Sequence, residues 1–216
     1  MNHLTTLIFD FDGVILESVD IKTQAFVELF ADFPRHREDI IKLHMQNGGM
    51  SRYEKFKIIY KEFLKRPLSD AKNRELGKTF SNLVFEKVVN CPFVCGAYEF
   101  LKKYASAFPI FVASGTPENE LIEIVRRRNL AHFFKSIHGS PKTKPEIIDD
   151  IISTYNYSPE QILFIGDSTT DYEAAKCTNI RFIGRVDNDE NNIFPGHITV
   201  VKDLFELDPY IFKTVN

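Results

Sequence analysis

Residues 7–14 read Leu-Ile-Phe-Asp-Phe-Asp-Gly-Val, which sets two carboxylates one residue apart at the end of an apolar run. Leu7-Ile8-Phe9 has the pattern of a buried strand, and Gly13 breaks it. Side chains two apart on a strand point the same way, so Asp10 and Asp12 share one side of the strand end while Phe11 turns back into the core. Neighbouring carboxylates repel unless a cation, a proton or a cluster of donors stabilises them. A solvated acidic turn is the plain alternative for a lone Asp-x-Asp. The rest of the chain must decide between the two.

A chain of 216 residues with 44% hydrophobic and 26% charged content is long enough for one well-packed domain, or one domain with a sizeable insertion. The net charge of -3 leaves no basic excess for a nucleic-acid backbone. No apolar run reaches the roughly 18 residues needed to span a bilayer, so no membrane association is expected. The chain passes from Met1-Asn2-His3 straight into the first strand without the pattern of a signal peptide. A cytoplasmic protein, monomeric or weakly dimeric, is the expectation. Cys91, Cys95 and Cys177 form no knuckle pairs and read as incidental or structural thiols.

Helical spacing covers 17–30, with Ala25, Phe26, Leu29 and Phe30 as an apolar stripe, then 38–46, 51–64 and 69–88. Ser51 is an N-cap candidate after Gly48-Gly49. No strand alternation occurs between residues 17 and 90, so this block is expected to be an all-helical insertion. From Cys91 onward strands and helices alternate. Strands are predicted at 109–113, 134–138, 162–165 and 180–183, and helices at 97–104, 117–128, 145–155 and 171–177. This alternation is the signature of an α/β fold, a doubly wound parallel sheet whose ligands gather at the carboxyl ends of the strands. The polar run 187–192 reads as a solvated loop.

Three polar clusters then fall just after apolar strands: Asp10 with Asp12, Ser114 with Thr116, and Asp167 with Asp171. A fourth, Pro141-Lys142-Thr143-Lys144-Pro145, precedes a helix. Carboxylates, a hydroxyl and a lysine at the strand ends of one sheet suit a divalent cation and a phosphate, because magnesium prefers oxygen ligands and commonly shares a substrate phosphate.

The order Asp-x-Asp-Gly-Val, a strand-terminal serine, a lysine before a helix and Gly-Asp-Ser-x-x-Asp resembles the haloacid dehalogenase superfamily. Within it the chain is similar to the β-phosphoglucomutase and phosphoglycolate phosphatase group, whose helical cap is inserted after the first motif. The resemblance spans the whole chain. It implies a Rossmann-like core of residues 1–16 and 91–216 with a cap of residues 17–90. It implies Asp10 as a nucleophile that becomes an aspartyl phosphate and Asp12 as general acid and base. Mg2+ would be held by Asp10, Asp167 and the main-chain carbonyl of Asp12, with Asp171 completing the surroundings or orienting the lysine. Ser114 and the amide of Gly115, beside Thr116, would hold the phosphoryl group. Members of the family align the lysine with either Lys142 or Lys144. Thr143-x-x-Glu146 reads as a capping box that sets Lys144 in the first helical position, and this favours Lys144.

Gly49-Met50-Ser51-Arg52 is similar to the cap loop of the sugar-phosphate enzymes of this group, which makes Arg52, with Ser51 and Lys22, the expected substrate-specificity residues. Glu17 and Ser18 read as hinge. The implied activity is hydrolysis of a small phosphate monoester, a sugar or other metabolite phosphate. Its rival is phosphoryl transfer between sugar positions through the same intermediate. A halide-releasing dehalogenase has no need of Asp12, and a phospho-accepting receiver domain lacks a helical insertion.

Overall fold

The computed structural model describes residues 4–188, 190 and 192–212, so Met1-Asn2-His3 and part of the 187–192 run lie outside the described residues. Six strands, β1 (Thr6–Phe9), β2 (Ile110–Pro117), β3 (Ser136–Ser140), β4 (Ile162–Gly166), β5 (Arg181–Arg185) and β6 (Val200–Val201), form one sheet. All pair in parallel, in the order β3-β2-β1-β4-β5-β6. The chain therefore leaves β1 to one side, returns, and continues from β4 on the other. The crevice at that reversal is where parallel sheets hold their ligands.

Between β1 and β2 the chain is helical, as expected: α1 (Val19–Leu29), α2 (Arg37–Gln46), α3 (Arg52–Ile58) and α4 (Asp70–Asn90). The predicted stripe of α1 supplies its core, where the Phe26 ring lies 4.7 Å from Phe80 and 5.7 Å from Phe56. Both crossings between this insertion and the sheet run side by side. Glu17 N donates to Pro92 O at 3.0 Å and Val94 N to Ile15 O at 3.0 Å. Arg128 adds a clamp by donating to the carbonyls of Val89 and Cys91 at 2.8 and 2.7 Å.

Strand periodicity sorts the sheet into two layers. Leu7, Phe9, Val112, Leu163 and Ile165 face one side, where α5 (Ala97–Tyr104), α6 (Glu118–Arg127) and the insertion cover them. Ile8, Phe111, Ala113, Ile162 and Phe164 face the other, under α7 (Lys144–Tyr155) and α8 (Thr169–Cys177). Each large apolar side chain so buried contributes about 1.5–3 kcal/mol relative to exposure.

The structure departs from the predicted spans where tertiary contacts intervene. The helix expected from residue 17 starts at Val19, because Glu17 is bonded to the return crossing. The helix expected over 51–64 widens after Ile58 into a π-helical turn, Ile59–Phe63, with Leu64 N donating to Ile59 O at 3.0 Å. β2 extends beyond Ala113 and carries Ser114, Gly115 and Thr116 within its last residues, beside β3. β6 and the terminal α9 (Asp208–Phe212) are too short to announce themselves by periodicity. Among the described residues no helix is long and apolar enough to cross a membrane.

Candidate active site

Register brings the polar clusters level. Phe9 stands opposite Val112 on one side and Ile165 on the other, and Asp10 N donates to Ile165 O at 2.9 Å. The residues that follow these three positions, Asp10, the Ser114 segment and Asp167, therefore emerge together at the strand ends.

Asp10 is buried. Its Oδ1 accepts from the Phe11 amide at 2.6 Å and its Oδ2 lies 2.8 Å from Lys144 Nζ. Lys144 stands in the first turn of α7, behind the Thr143–Glu146 capping box, and donates as well to Asp171 Oδ1. Asp171 has its other oxygen occupied by Ser168, through the amide at 3.1 Å and the hydroxyl at 2.5 Å. Lys142 points to the surface, where it meets Asp150 at 2.6 Å. The structure thus brings Lys144 and not Lys142 to the cluster. Burial is the main force raising the Asp10 carboxyl to about 7. The Lys144 charge opposes it, while Asp171 and Asp12 reinforce it. Burial and the charges of Asp10 and Asp171 raise Asp167 well above the usual carboxylate range. Lys144 is held firmly protonated, since Asp10 and Asp171 outweigh its own burial.

Asp12 has the opposite surroundings. Its Oδ1 accepts from Ser18 Oγ at 2.6 Å, and its Oδ2 accepts from Thr116 Oγ1 at 2.9 Å and from Lys22 Nζ. Lys22 also bonds to Thr116 Oγ1 at 2.6 Å. Burial works against ionisation of Asp12, but the Lys22 charge and these donors outweigh it and hold the carboxyl at about 2. Ser18, read from sequence as hinge, is fully buried and forms part of this group. The signal was its position as the last residue before α1, six after Asp12. Ser114 is buried, and its Oγ accepts from Thr116 N at 3.1 Å.

The insertion closes over these groups. A cavity of about 40 Å³ is lined by Asp10, Asp12, Asp167 and Thr116 from the sheet and by Lys22, Arg52 and Lys55 from the insertion. Beside it, Ser114, Gly115 and Lys144 line a wider cleft under Gly49, Met50 and Ser51. Arg52 lines the cavity, yet its guanidinium also grips Glu120 of α6 at 2.6 and 3.0 Å and Ser81 of α4 at 2.9 Å, over the Phe80 ring. Ser51 caps α3, its Oγ accepting from Tyr53 N at 3.4 Å. Close approach requires glycine in the loop between α2 and α3. Gly49 N donates to Thr170 Oγ1 at 3.0 Å, and a Cβ on Gly49 would stand 2.6 Å from Lys144 Nζ.

The donor set fits a hard divalent cation. Carboxylate oxygens of Asp10, Asp167 and Asp171 lie within 4.8 Å of one another. Asp171 already accepts three hydrogen bonds, from Lys144 and from the amide and hydroxyl of Ser168, so Asp10 and Asp167 have more capacity to spare. Among the described residues no hydrogen-bond donor engages the Asp167 carboxylate. Gly13 makes room for it: φ there is +76°, and a Cβ would lie 2.0 Å from Asp167 Oδ2.

Comparisons with known proteins agree with this geometry. A profile of the haloacid dehalogenase-like hydrolases matches residues 7–185. A phosphorylated carbohydrates phosphatase of Thermotoga maritima is 28% identical over 190 residues, which cover 83% of this chain and 84% of the relative. A phosphoglycolate phosphatase of Pasteurella multocida is 23% identical over 195 residues, covering 85% of this chain and 86% of the relative. Among solved structures, a β-phosphoglucomutase of Clostridium difficile superposes with a TM-score of 0.77 at 22% identity, over 96% of this chain and 95% of that one. With the profile spanning the sheet from β1 to β5, and Asp10, Asp12 and Asp167 standing just beyond their strands, this chain belongs to the haloacid dehalogenase-like hydrolases.

Proposed function

We propose that this hydrolase cleaves a small phosphate monoester in a magnesium-dependent reaction with Asp10 as nucleophile. The observation that carries the reading is the contrast between two carboxylates one residue apart. Asp10 lies among acids and Lys144, whereas Asp12 stands apart among Lys22, Ser18 and Thr116. Two such environments suit two roles. The phosphatase relatives support the substrate class.

In the first displacement an Asp10 oxygen bonds to phosphorus while the bond from phosphorus to the ester oxygen breaks, and the departing alkoxide takes a proton from Asp12. In the second, water attacks phosphorus, Asp12 accepts its proton, and the bond from Asp10 to phosphorus breaks to release phosphate. The closed geometry holds Asp12 ionised, the form required to accept that proton. For Asp12 to act as acid, Lys22 must disengage from it, which gives Lys22 a place in substrate binding. Ser114 and the Gly115 amide bind the phosphoryl oxygens beside Lys144. Mg2+, held by Asp10, Asp167 and the Asp12 main-chain carbonyl, would offset the negative charge that accumulates there. Asp171 positions Lys144.

Residues 17–90 are the cap in this reading and residues 1–16 and 91–216 the core. The paired crossings at Glu17 with Pro92 and at Ile15 with Val94 support that boundary. Cap closure excludes bulk water from the reacting groups.

The test is phosphate release from a panel of sugar, polyol, nucleotide and hydroxy-acid phosphates with magnesium, with Asp10→Asn in parallel. Turnover that disappears in the variant supports the reading. No turnover, or equal turnover in both, overturns it. Product analysis separates release to water from transfer to a second hydroxyl.

A further inference from the structure

The register that levels the carboxylates also sets a cation beside them. Gly184 of β5 pairs with Gly166 of β4, so Arg185 and Asp167 follow as neighbours at the ends of two adjacent parallel strands. Such strands lie about 4.8 Å apart, well within the reach of an arginine side chain, and both residues line one cleft together with Glu17. A guanidinium and a carboxylate so placed have the means to form a strong bidentate pair. Here Arg185 turns to other partners.

All three nitrogens of its guanidinium are engaged away from Asp167. Nη2 donates to Glu17 Oε1 at 2.7 Å and Nη1 to Glu17 Oε2 at 3.3 Å. Nη1 also donates to Gly13 O at 3.2 Å, and Nε to Lys202 O at 3.1 Å. Glu17 is fixed in turn, since its own amide donates to Pro92 O at 3.0 Å where the insertion meets the sheet. With Arg185 11% exposed and Glu17 41% exposed, the ion pair is open to solvent and adds little to stability. Its effect is one of direction: it aims the guanidinium at the Gly13 turn. A guanidinium on Asp167 would occupy oxygens that a divalent cation needs, and would set a like charge beside the ion.

Resting on the metal site proposed above, we infer that Glu17 is a positioning residue that holds Arg185 off Asp167 and so keeps that carboxylate free for Mg2+. Arg185 is then a built-in competitor of the metal, held in check by one carboxylate at the start of the insertion. Neither residue is itself a metal ligand.

Mn2+ binding in the absence of substrate, followed by the electron paramagnetic resonance of the free ion, tests this in the wild type, Glu17→Gln, Arg185→Met, the double variant and Asp167→Asn. Glu17→Gln frees the guanidinium and is expected to weaken Mn2+ binding roughly 10-fold or more, the usual size of a loss around metal ligands. Arg185→Met removes the competitor, so that variant and the double variant are both expected within about threefold of wild type, because the two substitutions act through one contact. A merely structural role for Glu17 predicts instead that its loss persists in the double variant. Unchanged binding in Glu17→Gln, or a double variant as weak as Glu17→Gln, overturns the assignment of Glu17 and leaves the metal site standing. Wild-type binding that is absent, or that survives Asp167→Asn undiminished, overturns the metal site and this inference with it.

Discussion

The guanidinium of Arg52, on the insertion, grips both carboxylate oxygens of Glu120, on the core helix α6, at 2.6 and 3.0 Å. Both side chains are buried, at 4% and 9% exposure, so this ion pair clasps the helical insertion to α6. Removing one partner of a buried pair within a rigid core costs about 3–5 kcal/mol. In the proposed cap motion the interface would open and let water reach Arg52. Glu120→Ala is therefore expected to cost less than about 2 kcal/mol in denaturant unfolding, while amide exchange speeds up at residues 46–51 and 168–170. A full-size loss of global stability with unchanged exchange would show that the clasp belongs to one rigid core.

Asp10 gives a pH dependence of definite sign. Its folded carboxyl is raised to about 7, above the unfolded value of 3.8. Below both values the group is protonated in both states and costs nothing. As pH rises toward about 7 the unfolded state ionises first, and the folded state loses stability relative to it. Asn mimics the neutral form. In protein freed of metal with chelator, Asp10→Asn is expected to stabilise relative to wild type by an amount that grows from about pH 4 to about pH 8, read from denaturant midpoints. Added magnesium should shrink that gain. A gain independent of pH would remove the crowding of carboxylates as its cause.

Lys144 and Lys142 separate cleanly. Lys144→Ala deprives Asp10 and Asp171 of their shared cation and is expected to lower kcat by about 100-fold or more, in the range of losing a donor to a developing negative charge. Lys142→Ala breaks only an exposed pair with Asp150 and should stay within about twofold of wild type. Equal effects would contradict the placement of Lys144.

Gly13 is a further position where a small change tells. Its φ of +76° already disfavours any side chain, and a Cβ would collide with Asp167. Gly13→Ala is expected to cost about 1–3 kcal/mol of stability and to raise the magnesium concentration needed for half-maximal activity. Unchanged metal dependence would argue that Asp167 does not hold the ion.

The sheet and the strand-end carboxylates were legible because their signals are local. Apolar runs ending at Asp10, Ser114 and Asp167 declare strands, and the Thr143–Glu146 box declares the start of α7 and with it the position of Lys144. What escaped depends on the packing of distant segments. Ser18 reads as a hinge residue until the chain folds back and aims its hydroxyl at Asp12. Arg52 was expected to face substrate, and nothing in its neighbourhood points to Glu120, 68 residues away. Lys55, between Glu54 and Phe56, has the texture of a solvated face, and only the packing of α3 against α1 and α4 buries it.

The side-by-side crossings at Ile15–Glu17 and Pro92–Val94 also limit how the proposed cap would travel. A lobe hung on one strand of chain would wander in several directions. One hung on two adjacent strands, bonded to each other, swings like a door about a single line. In the proposed cap motion each swing would return Gly49 to the same seat on Thr170, so that arrival of substrate and escape of product would be timed by one shared opening.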